Sequence, residues 1–469
     1  MQALTIQEMA EAMGGRMRGT AAVPTVASVS TDSRAVVAGS LFFAIPGERF
    51  DGHAFVNEAL EKGADAAVVS DLSKVDTRHH SDGRLIQVQN TVEAFGRLAA
   101  WYRRQFAAQV IAVVGSNGKT TTKDLINTVL GSRKRGRAGK GSFNNEIGVP
   151  LTLLSVEPQD EYVVVEIGTN HPGEVVALGR IVQPDLVVLT SIGEEHLEFF
   201  GDVESVAREE FSVVGCLRSR GFLAVSEQAA GFAPSKALAN CTVLKYGFEA
   251  DADLRAVGVS MDGEGQRFKV NGRFEYLLPL LGRHNISNAL GAIAIGTRFR
   301  LSHEEIAAAL AKARPSAMRM ERFRLGQITV LNDAYNANPS SMQAAFEVMD
   351  RLPAVGRKVL ILGDMRELGE ETVRCHQAIG REAGRSTAQV VIAVGAMARV
   401  LADGATTAAG TGKRIYWFPT VEALGEKIGA LIQPGDVVLL KASRAVRLER
   451  LLGQLEGCAR LAPARDAGE

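Results

Sequence analysis

A strand, a glycine-rich loop and a helix follow one another between residues 110 and 130. Residues 110–114 are apolar and β-branched, which is typical of a fully buried parallel strand, and residues 119–130 have a helical composition. Glycines in the loop let backbone N–H groups approach a polyanion at the N-terminus of the helix. This unit predicts a parallel α/β sheet with a phosphate-binding loop at its edge.

The loop itself carries the residue types that a nucleotide triphosphate needs. Lys119 would reach the outer phosphates, and the Thr120 hydroxyl would bind Mg²⁺. Two residues separate Gly115 from Gly118, whereas the long P-loop pattern has four, so the spacing departs from that pattern. A plain glycine turn is the alternative, but lysine and threonine directly after a buried strand disfavour it. The predicted nucleotide contacts in the loop are Gly115, Asn117, Gly118, Lys119, Thr120 and Thr121.

Length and charge restrict the remaining possibilities. The chain has 469 residues, enough for about three domains. Lys and Arg number 53, as do Asp and Glu, so the sequence provides no basic face for nucleic acid. The four cysteines are scattered, and neither a signal peptide nor an apolar run of about 18 residues is evident. We therefore expect a cytoplasmic monomer without membrane insertion.

The distribution of apolar runs predicts an α/β protein of three domains. We place a first domain at residues 1–107, a central nucleotide-binding domain at 108–313 and a Rossmann-like domain at 314–469. The second boundary rests on Arg314-Pro315, because the residue before proline leaves the helical region. Antiparallel hairpins are expected between residues 254 and 280, with turns at Asp262-Gly263 and Asn271-Gly272. Beyond residue 328, strands alternate with helical patterns, which predicts a second, doubly wound parallel sheet.

Two further side chains are candidate metal ligands because they stand where strands end. Glu166 ends the apolar run at residues 162–167, and His196 follows the run at 186–193. Both should lie at the carboxyl edge of the sheet that carries the glycine loop, where ligands bind in such folds. Glu194 and Glu195 are interpreted as a solvated pair. Glu210 and its neighbour Glu209 are placed near the start of a helix, where acids favour the dipole.

Several polar residues have two interpretations that the pattern does not separate. Asn144 and Asn145 suit either a loop turn or binding of substrate, since asparagine tolerates unusual φ and ψ angles. Asn288 is expected to open a helix, and Asn338 to start another before Pro339. Asp333, at the end of a strand, either contacts nucleotide or serves as a cap.

Short motifs along the whole chain, taken in order, resemble those of the Mur ligase family. They are TDSR (31–34), GERFDGHAF (47–55), GSNGKTTTK, FNNEIGVPLTLL, VEIGTNHPGE, EEHLEFFG, GRHNISNALGA, MRMERF, NDAYNANPSSM, LGDMRELGE (362–370) and KASRAVRLE. The resemblance is closest to members that add D-alanyl-D-alanine, and a DNPR-like motif of the member that adds the preceding residue is not found. A folyl-type ligase is disfavoured by the first two motifs, and a nucleotide-dependent scaffold by the third domain.

The resemblance implies an ATP-dependent ligase that joins D-alanyl-D-alanine to UDP-N-acetylmuramoyl-tripeptide through an acyl phosphate. ATP and two Mg²⁺ ions are the implied cofactors. By the same resemblance, Glu166 and His196 are metal ligands, and Asn288, Arg319 and Asp333 contact ATP. The implied substrate residues are Ser33, Arg34, Asp51, Gly52, His53, Asn144, Asn145, Tyr335, Asn336, Asn338, Lys441, Ser443 and Arg444.

Two positions depart from the family pattern. Members of the family carry a carbamylated lysine fourteen residues after the metal-binding histidine, and Glu210 stands there in this sequence. We hypothesise that its carboxylate replaces the carbamate as a ligand of a second metal, with an alignment slip of one residue as the alternative. Ala442 occupies the place of a glycine, which leaves the geometry of its loop open. Whether the third peptide residue is diaminopimelate or lysine also stays open.

Overall fold

The computed structural model describes residues 1–18, 25–47, 50–76, 84–219, 221–234, 238, 241–262, 265–354 and 356–460, without the side chains of 458–460. Glu48 and Arg49 of the second motif and the predicted turn residue Gly263 lie outside this set. In the described part of the chain, no helix is both long and apolar enough to cross a membrane.

The N-terminal region forms a five-stranded sheet and a small two-stranded one. The larger sheet has the order β2-β7-β6-β5-β4, with β2 antiparallel to β7 and the other neighbours parallel, while β1 pairs with β3. Its elements are β1 (Leu4–Thr5), α1 (Ile6–Met13), β2 (Arg16–Arg18), β3 (Thr25–Val26), β4 (Ser28–Ser30), β5 (Ser40–Phe43), α2 (Val56–Glu61), β6 (Ala64–Val69), β7 (Leu85–Gln87) and α3 (Thr91–Arg103).

The central region forms a nine-stranded mixed sheet of order β16-β15-β14-β13-β12-β11-β8-β10-β9. The neighbours from β9 to β14 are parallel, and β14, β15 and β16 make the predicted antiparallel hairpins. Its elements are β8 (Gln109–Val114), α4 (Lys119–Leu130), β9 (Gly136–Ala138), α5 (Gly148–Leu154), β10 (Tyr162–Glu166), α6 (Glu174–Val182), β11 (Leu186–Leu189), α7 (Leu197–Phe200), α8 (Val203–Phe211), β12 (Phe222–Ser226), α9 (Glu227–Ala230), β13 (Thr242–Gly247), β14 (Leu254–Met261), β15 (Gln266–Val270), β16 (Phe274–Leu278), α10 (Arg283–Arg298) and α11 (His303–Leu310).

The C-terminal region forms a six-stranded sheet of order β17-β18-β22-β19-β20-β21, in which only the edge pair β17–β18 is antiparallel. Its elements are β17 (Glu321–Leu325), β18 (Ile328–Asn332), α12 (Pro339–Arg351), β19 (Lys358–Gly363), α13 (Thr372–Arg385), β20 (Val390–Val394), α14 (Ala398–Ala408), β21 (Arg414–Phe418), α15 (Val421–Gly425), α16 (Ile428–Leu431), β22 (Val437–Lys441) and α17 (Leu452–Arg460). The predicted α/β class with a second doubly wound sheet is confirmed.

The three sheets share hydrophobic cores instead of standing apart. One buried cluster joins Phe43 and Phe95 of the N-terminal region to Val110 of the central sheet, and another joins Leu197 to Leu360 of the C-terminal sheet. Arg103, almost fully buried at the end of α3, donates to the Val182 carbonyl and pairs with Asp185 at 2.7 Å. These contacts pack the N-terminal and C-terminal regions against the central one.

Two expectations about helices are wrong. Helix α10 begins at Arg283, so Asn288 lies inside it and does not open it. Helix α8 ends at Phe211, so Glu209 and Glu210 lie in its last turn and not near its start. Both errors arise because these polar residues were taken as signals of a helix start. In the structure they lie inside a helix or in its last turn.

Candidate active site

The glycine loop lies between the carboxyl end of β8 and helix α4, as predicted. Gly115 and Gly118 have φ angles of +119° and +85°. A Cβ atom on Gly115 would lie 2.4 Å from Thr190 Oγ1, and one on Gly118 would lie 2.3 Å from Asn288 Oδ1. Both positions therefore require glycine, for the backbone conformation and for the close approach of neighbouring side chains.

Lys119 is the centre of a buried charge cluster. Its ammonium donates to the carbonyls of Gly115 and Ser116, so it folds back over its own loop. Glu195 Oε2 lies 3.8 Å away. Burial alone would lower the pKa of Lys119, but attraction to Glu195, Glu210 and Glu166 outweighs it and raises the pKa. The lysine is held protonated where a phosphate chain would lie.

Glu166 and Glu210 come from different elements and are almost completely buried. Glu166 Oε1 accepts from the Asn144 amide at 2.9 Å, and Glu210 Oε2 accepts from the Gly115 N–H at 2.8 Å. Burial raises the pKa of Glu210 against the opposing attraction of Lys119. Glu210 thus touches the first residue of the glycine loop directly, a contact that the sequence did not predict.

The same acids have oxygen atoms that fit a divalent cation. Glu166 Oε2, Glu195 Oε1 and Glu210 Oε1 are buried without a hydrogen-bond partner among the described residues. Such atoms are costly unless something binds them, and carboxylate oxygens are the ligands that Mg²⁺ prefers. Within the described ranges, no three His, Cys, Asp or Glu side chains are grouped closely enough to hold a metal alone. The protein would therefore supply only some of the ligands of such an ion, and other oxygens, such as those of a phosphate chain, would supply the rest.

The interpretation of Glu194 and Glu195 as a solvated pair is wrong. Glu195 is buried beside Lys119, whereas Glu194 points to the C-terminal region and accepts from Arg374 at 2.9 Å. Glu209, also unrecognised from the sequence, accepts from the N–H groups of Gly173 and Val175 and so caps α6. Acids that are adjacent in the sequence therefore contact different partners.

His196 stands directly before α7 with a φ angle of +47°. Its Nδ1 lies 2.6 Å from Glu367 Oε2, which belongs to the C-terminal region. Thr120 is buried at the start of α4, and its hydroxyl is 3.2 Å from that of Ser142. The predicted metal ligands thus come from different elements: Thr120 from α4, Glu166 from the end of β10, His196 from the segment before α7 and Glu210 from the last turn of α8.

A cavity of about 470 Å³ opens beside the glycine loop, between the central and C-terminal regions. Arg319 stacks its guanidinium on the Tyr335 ring at 4.0 Å. Asp333 Oδ2 pairs with Lys441 at 2.6 Å, and Asp333 Oδ1 accepts from the Met320 N–H. The predicted residues that line this cavity are Asn117, Gly118, Thr121, Asn288, Arg319, Asp333, Tyr335, Asn336, Asn338 and Lys441.

The same cavity has walls that sequence reasoning missed. Phe248 follows β13, and the Arg283 guanidinium lies 3.9 Å from the centre of its ring. His284 lines the cavity beside them, and burial lowers its pKa to about 4. The sequence pattern did not predict strand β13, so the position of Phe248 at the carboxyl edge of the sheet could not be inferred.

A second cavity of about 1040 Å³ lies between His196 and the loops of the C-terminal sheet. Asn336, Ser443 and Arg444 line it. Ser443 Oγ accepts from the Arg366 N–H at 2.9 Å, which fixes the loop after β19. Ala442 is buried in the core under the C-terminal sheet, so a glycine is not needed there. His196 borders this space from the side of the central region.

The predicted asparagines divide into two groups. Asn145 accepts from the Gly148 N–H at 3.0 Å at the start of α5, and Asn338 is the N-cap of α12. Asn338 also donates to Asn117 Oδ1 at 3.0 Å and so connects α12 to the glycine loop. Asn144 holds Glu166, as noted above. Structural contacts thus account for Asn144 and Asn145, whose roles were open, and the predicted helix start at Asn338 is confirmed.

The predicted residues of the N-terminal region lie apart from the glycine loop and mostly contact one another. Asp51 accepts from the His53 N–H, while Nε2 of the buried His53 accepts from the Ser70 N–H at 3.0 Å. A Cβ atom on Gly52 would lie 2.6 Å from the Ile45 nitrogen. Ser33 Oγ lies 3.2 Å from Glu58, and the exposed Arg34 pairs with Asp32 at 2.8 Å. These contacts shape a turn and leave Arg34 accessible.

Comparison with known proteins gives a consistent result. Residues 25–103 match the model of the Mur ligase family, catalytic domain, residues 113–296 that of the Mur ligase middle domain, and residues 318–444 that of the Mur ligase, glutamate ligase domain. The chain is 35% identical to UDP-N-acetylmuramoyl-tripeptide–D-alanyl-D-alanine ligase of Bacillus subtilis (strain 168), over 96% of this chain and 98% of that one. Its structure is similar to MurF from Acinetobacter baumannii, with a TM-score of 0.86, 28% identity and coverage of 97% and 99%. It is also similar to MurF ligase from Thermotoga maritima in complex with ADP, with a TM-score of 0.80, 25% identity and coverage of 92% and 98%.

Proposed function

The chain belongs to the Mur ligase family, and we propose that it uses ATP to join D-alanyl-D-alanine to UDP-N-acetylmuramoyl-tripeptide. The observation that carries the proposal is the cluster of Lys119 and three buried acids at the glycine loop. Similarity to ligases of this name over nearly the whole chain supports the choice of substrates. The product would be the pentapeptide precursor of peptidoglycan.

The reaction proceeds in two steps, a phosphoryl transfer and an acyl transfer. The terminal carboxylate of the tripeptide attacks the γ-phosphorus of ATP, an acyl phosphate forms and ADP leaves. The amine of D-alanyl-D-alanine then attacks the acyl carbon. The nitrogen loses a proton, inorganic phosphate leaves, and the new amide bond remains. The first step brings two anions together, and Lys119 lowers that repulsion because it stays protonated at the loop.

Carboxylates near Lys119 would act as ligands of a divalent metal ion. We assign Thr120, Glu166, His196 and Glu210 as the side chains that hold it, with Glu210 in the place of a carbamylated lysine. Two partnerless buried oxygens on these acids support the assignment. Mg²⁺, when bound, would neutralise charge on the phosphates and on the attacking carboxylate. Two such ions are proposed.

The nucleotide occupies the cavity beside the loop. The Gly118 backbone and the hydroxyl groups of Thr120 and Thr121 face the phosphates. Gly115 and Asn117 shape the loop around them, because their N–H groups donate to Glu210 and Ser191. Asn288 and the Arg319–Tyr335 stack border the rest of that cavity. Asp333 acts mainly by holding Lys441 in place.

The peptide substrates occupy the larger space between the central and C-terminal regions. Asn336, Ser443 and Arg444 border it. The UDP-sugar lies against the N-terminal region, where Arg34 is accessible and the segment Asp51-Gly52-His53 shapes the turn. We assign the three functions to domains at 1–107, 108–313 and 314–469 of a cytoplasmic monomer.

The decisive experiment follows ADP release by the purified protein with UDP-muramoyl-tripeptide, with and without D-alanyl-D-alanine. We expect turnover to require both substrates, and Lys119→Ala to lower it by at least about a hundredfold, as expected for loss of a group that stabilises developing charge. Stimulation by another amine instead would indicate a different ligase of the family. ADP release that is indifferent to both peptides would indicate a nucleotide-dependent scaffold.

A further inference from the structure

Glu367 and His196 contact each other across the boundary between two sheets. Glu367 follows β19 of the C-terminal sheet, and its Oε2 lies 2.6 Å from Nδ1 of His196. Among the described residues Nδ1 has no hydrogen bond of acceptable geometry, so the contact is a close electrostatic one between a nearly buried imidazole and a half-exposed carboxylate. The Glu367 carbonyl also accepts from the Glu198 N–H at 3.1 Å. The two segments that carry the pair are therefore joined through side chains and through the backbone.

Both members of the pair have a backbone conformation that side chains rarely adopt. The φ angle is +64° at Glu367 and +47° at His196. Glycine would relieve the strain at either position, since it has no Cβ atom. Strained residues persist where the surroundings determine them strongly, and such residues are concentrated at functional sites.

The loop that presents Glu367 is fixed by buried polar groups. The Met365 N–H donates to Nε2 of His376, which is fully buried and whose Nδ1 lies 2.7 Å from the Thr372 carbonyl. The Arg366 N–H donates to Ser443 Oγ. Two consecutive N–H groups before Glu367 are thus held, so the backbone that presents its side chain has a defined place.

We propose that Glu367 is a positioning residue that fixes the tautomer and orientation of His196. A neutral imidazole carries one N–H, and a carboxylate beside Nδ1 selects the form protonated there. Nε2 then keeps the lone pair with which it can bind a ligand. Because Glu367 belongs to the other sheet, His196 is oriented only when the C-terminal sheet is seated. The benefit for catalysis rests on the proposed function, whereas the effect on the imidazole does not.

The first test measures the imidazole directly. Nitrogen-15 spectra of histidine-labelled protein without substrates, with His196 assigned through His196→Gln, should show Nδ1 protonated in the wild type. Glu367→Gly should shift the signals towards the form protonated at Nε2. Glu370→Ala, on the same loop and exposed, is the control and should change nothing. Unchanged His196 signals in Glu367→Gly would overturn the proposal.

The second test separates positioning from simple structural support. Glu367→Gly removes the carboxylate and also relieves the backbone strain, so its melting temperature should equal or exceed that of the wild type. Its kcat should fall about tenfold to a hundredfold, the usual effect of losing a partner of a metal ligand, with KM for ATP nearly unchanged. Glu367→Gln, which keeps an oxygen near Nδ1, should recover part of the loss.

The outcomes also distinguish this proposal from the ligase assignment. A wild-type protein without ligase activity would contradict the proposed function, while the spectra would still test Glu367. Wild-type kcat in Glu367→Gly would overturn the role of the pair. A fall in kcat that came with lower thermal stability and unchanged spectra would assign Glu367 to structure alone.

Discussion

Three buried carboxylates surround one ammonium group at Lys119. Charges removed from water cost several kcal/mol each unless they are paired, and here the acids outnumber the base. Each acid also keeps one oxygen without a partner among the described residues. The protein alone therefore leaves its site with an excess of negative charge, which bound divalent cations would reduce.

Glu210 provides the test of this idea at a single residue. Glu210→Ala should lower turnover at least about tenfold, the range seen when groups around a metal are removed. Glu210→Lys should show low turnover by itself. Added bicarbonate should restore turnover, because carbamylation of the lysine would restore a carboxylate-like group there. Turnover and metal dependence are measured by ADP release.

Matched variants make the Glu210 result specific. Glu210→Gln keeps an acceptor for the Gly115 N–H but loses the charge, so it reports the charge alone. Glu204→Ala, exposed on the same helix, should behave as the wild type. Wild-type turnover in Glu210→Ala would contradict the assignment.

At the scale of elements, the glycine loop is shaped by contacts from several distant segments. Thr190 and Asn288 limit the space at its two glycines, and Glu210 accepts its first N–H. Buried Lys123 donates to the carbonyls of Gly139 and Gly141, which fixes the segment that carries Asn144. Helix α4 alone would not give the loop this shape.

A substitution of Gly118 tests that constraint. Gly118→Ala should destabilise the fold and weaken nucleotide binding, because the new Cβ would meet Asn288 and the φ angle is +85°. The left-handed backbone alone costs about 1–2 kcal/mol for a side-chain residue. Denaturant unfolding and ADP titration measure the two effects.

Gly173→Ala is the matched control. It has a φ angle of +93° but no heavy atom within 4 Å of the added Cβ, so it carries the backbone cost alone. A Gly118→Ala variant that is no less stable than Gly173→Ala and binds ADP normally would show that the Asn288 contact is unimportant.

For the whole molecule, the relevant feature is how the C-terminal sheet is held against the central one. Asn117 contacts Asn338 and Ser340, and Arg374 pairs with Glu194. These polar contacts lie around a large cavity beside the apolar cluster that contains Leu197 and Leu360, and interfaces between domains of one chain commonly allow relative motion. An acyl phosphate must be protected from water, which a closing movement provides.

Small-angle scattering tests this movement. We expect the radius of gyration to fall when ATP analogue and both peptide substrates are added together, because the cleft then closes. Arg374→Ala should show a larger radius without ligands and a smaller difference from the wild type with them. Profiles that do not change with all ligands present would contradict closure.

The sequence by itself determined the local units and the edge of the sheet at which they meet. The glycine loop, the strand that ends at Glu166 and the N-cap at Asn338 follow from residue periodicity and from the backbone requirements of glycine, asparagine and proline. These properties depend on neighbours along the chain, so they can be inferred without the fold. The α/β class follows from the same alternation.

Only the tertiary structure decided which side chains meet. Glu194 and Glu195 are adjacent in sequence, yet one pairs with Arg374, 180 residues away, and the other with Lys119. The edge strand β17 and the Glu367–His196 contact were likewise invisible in the pattern. Such pairs depend on how sheets pack and on which charges are removed from water together, and no periodicity along the chain records either.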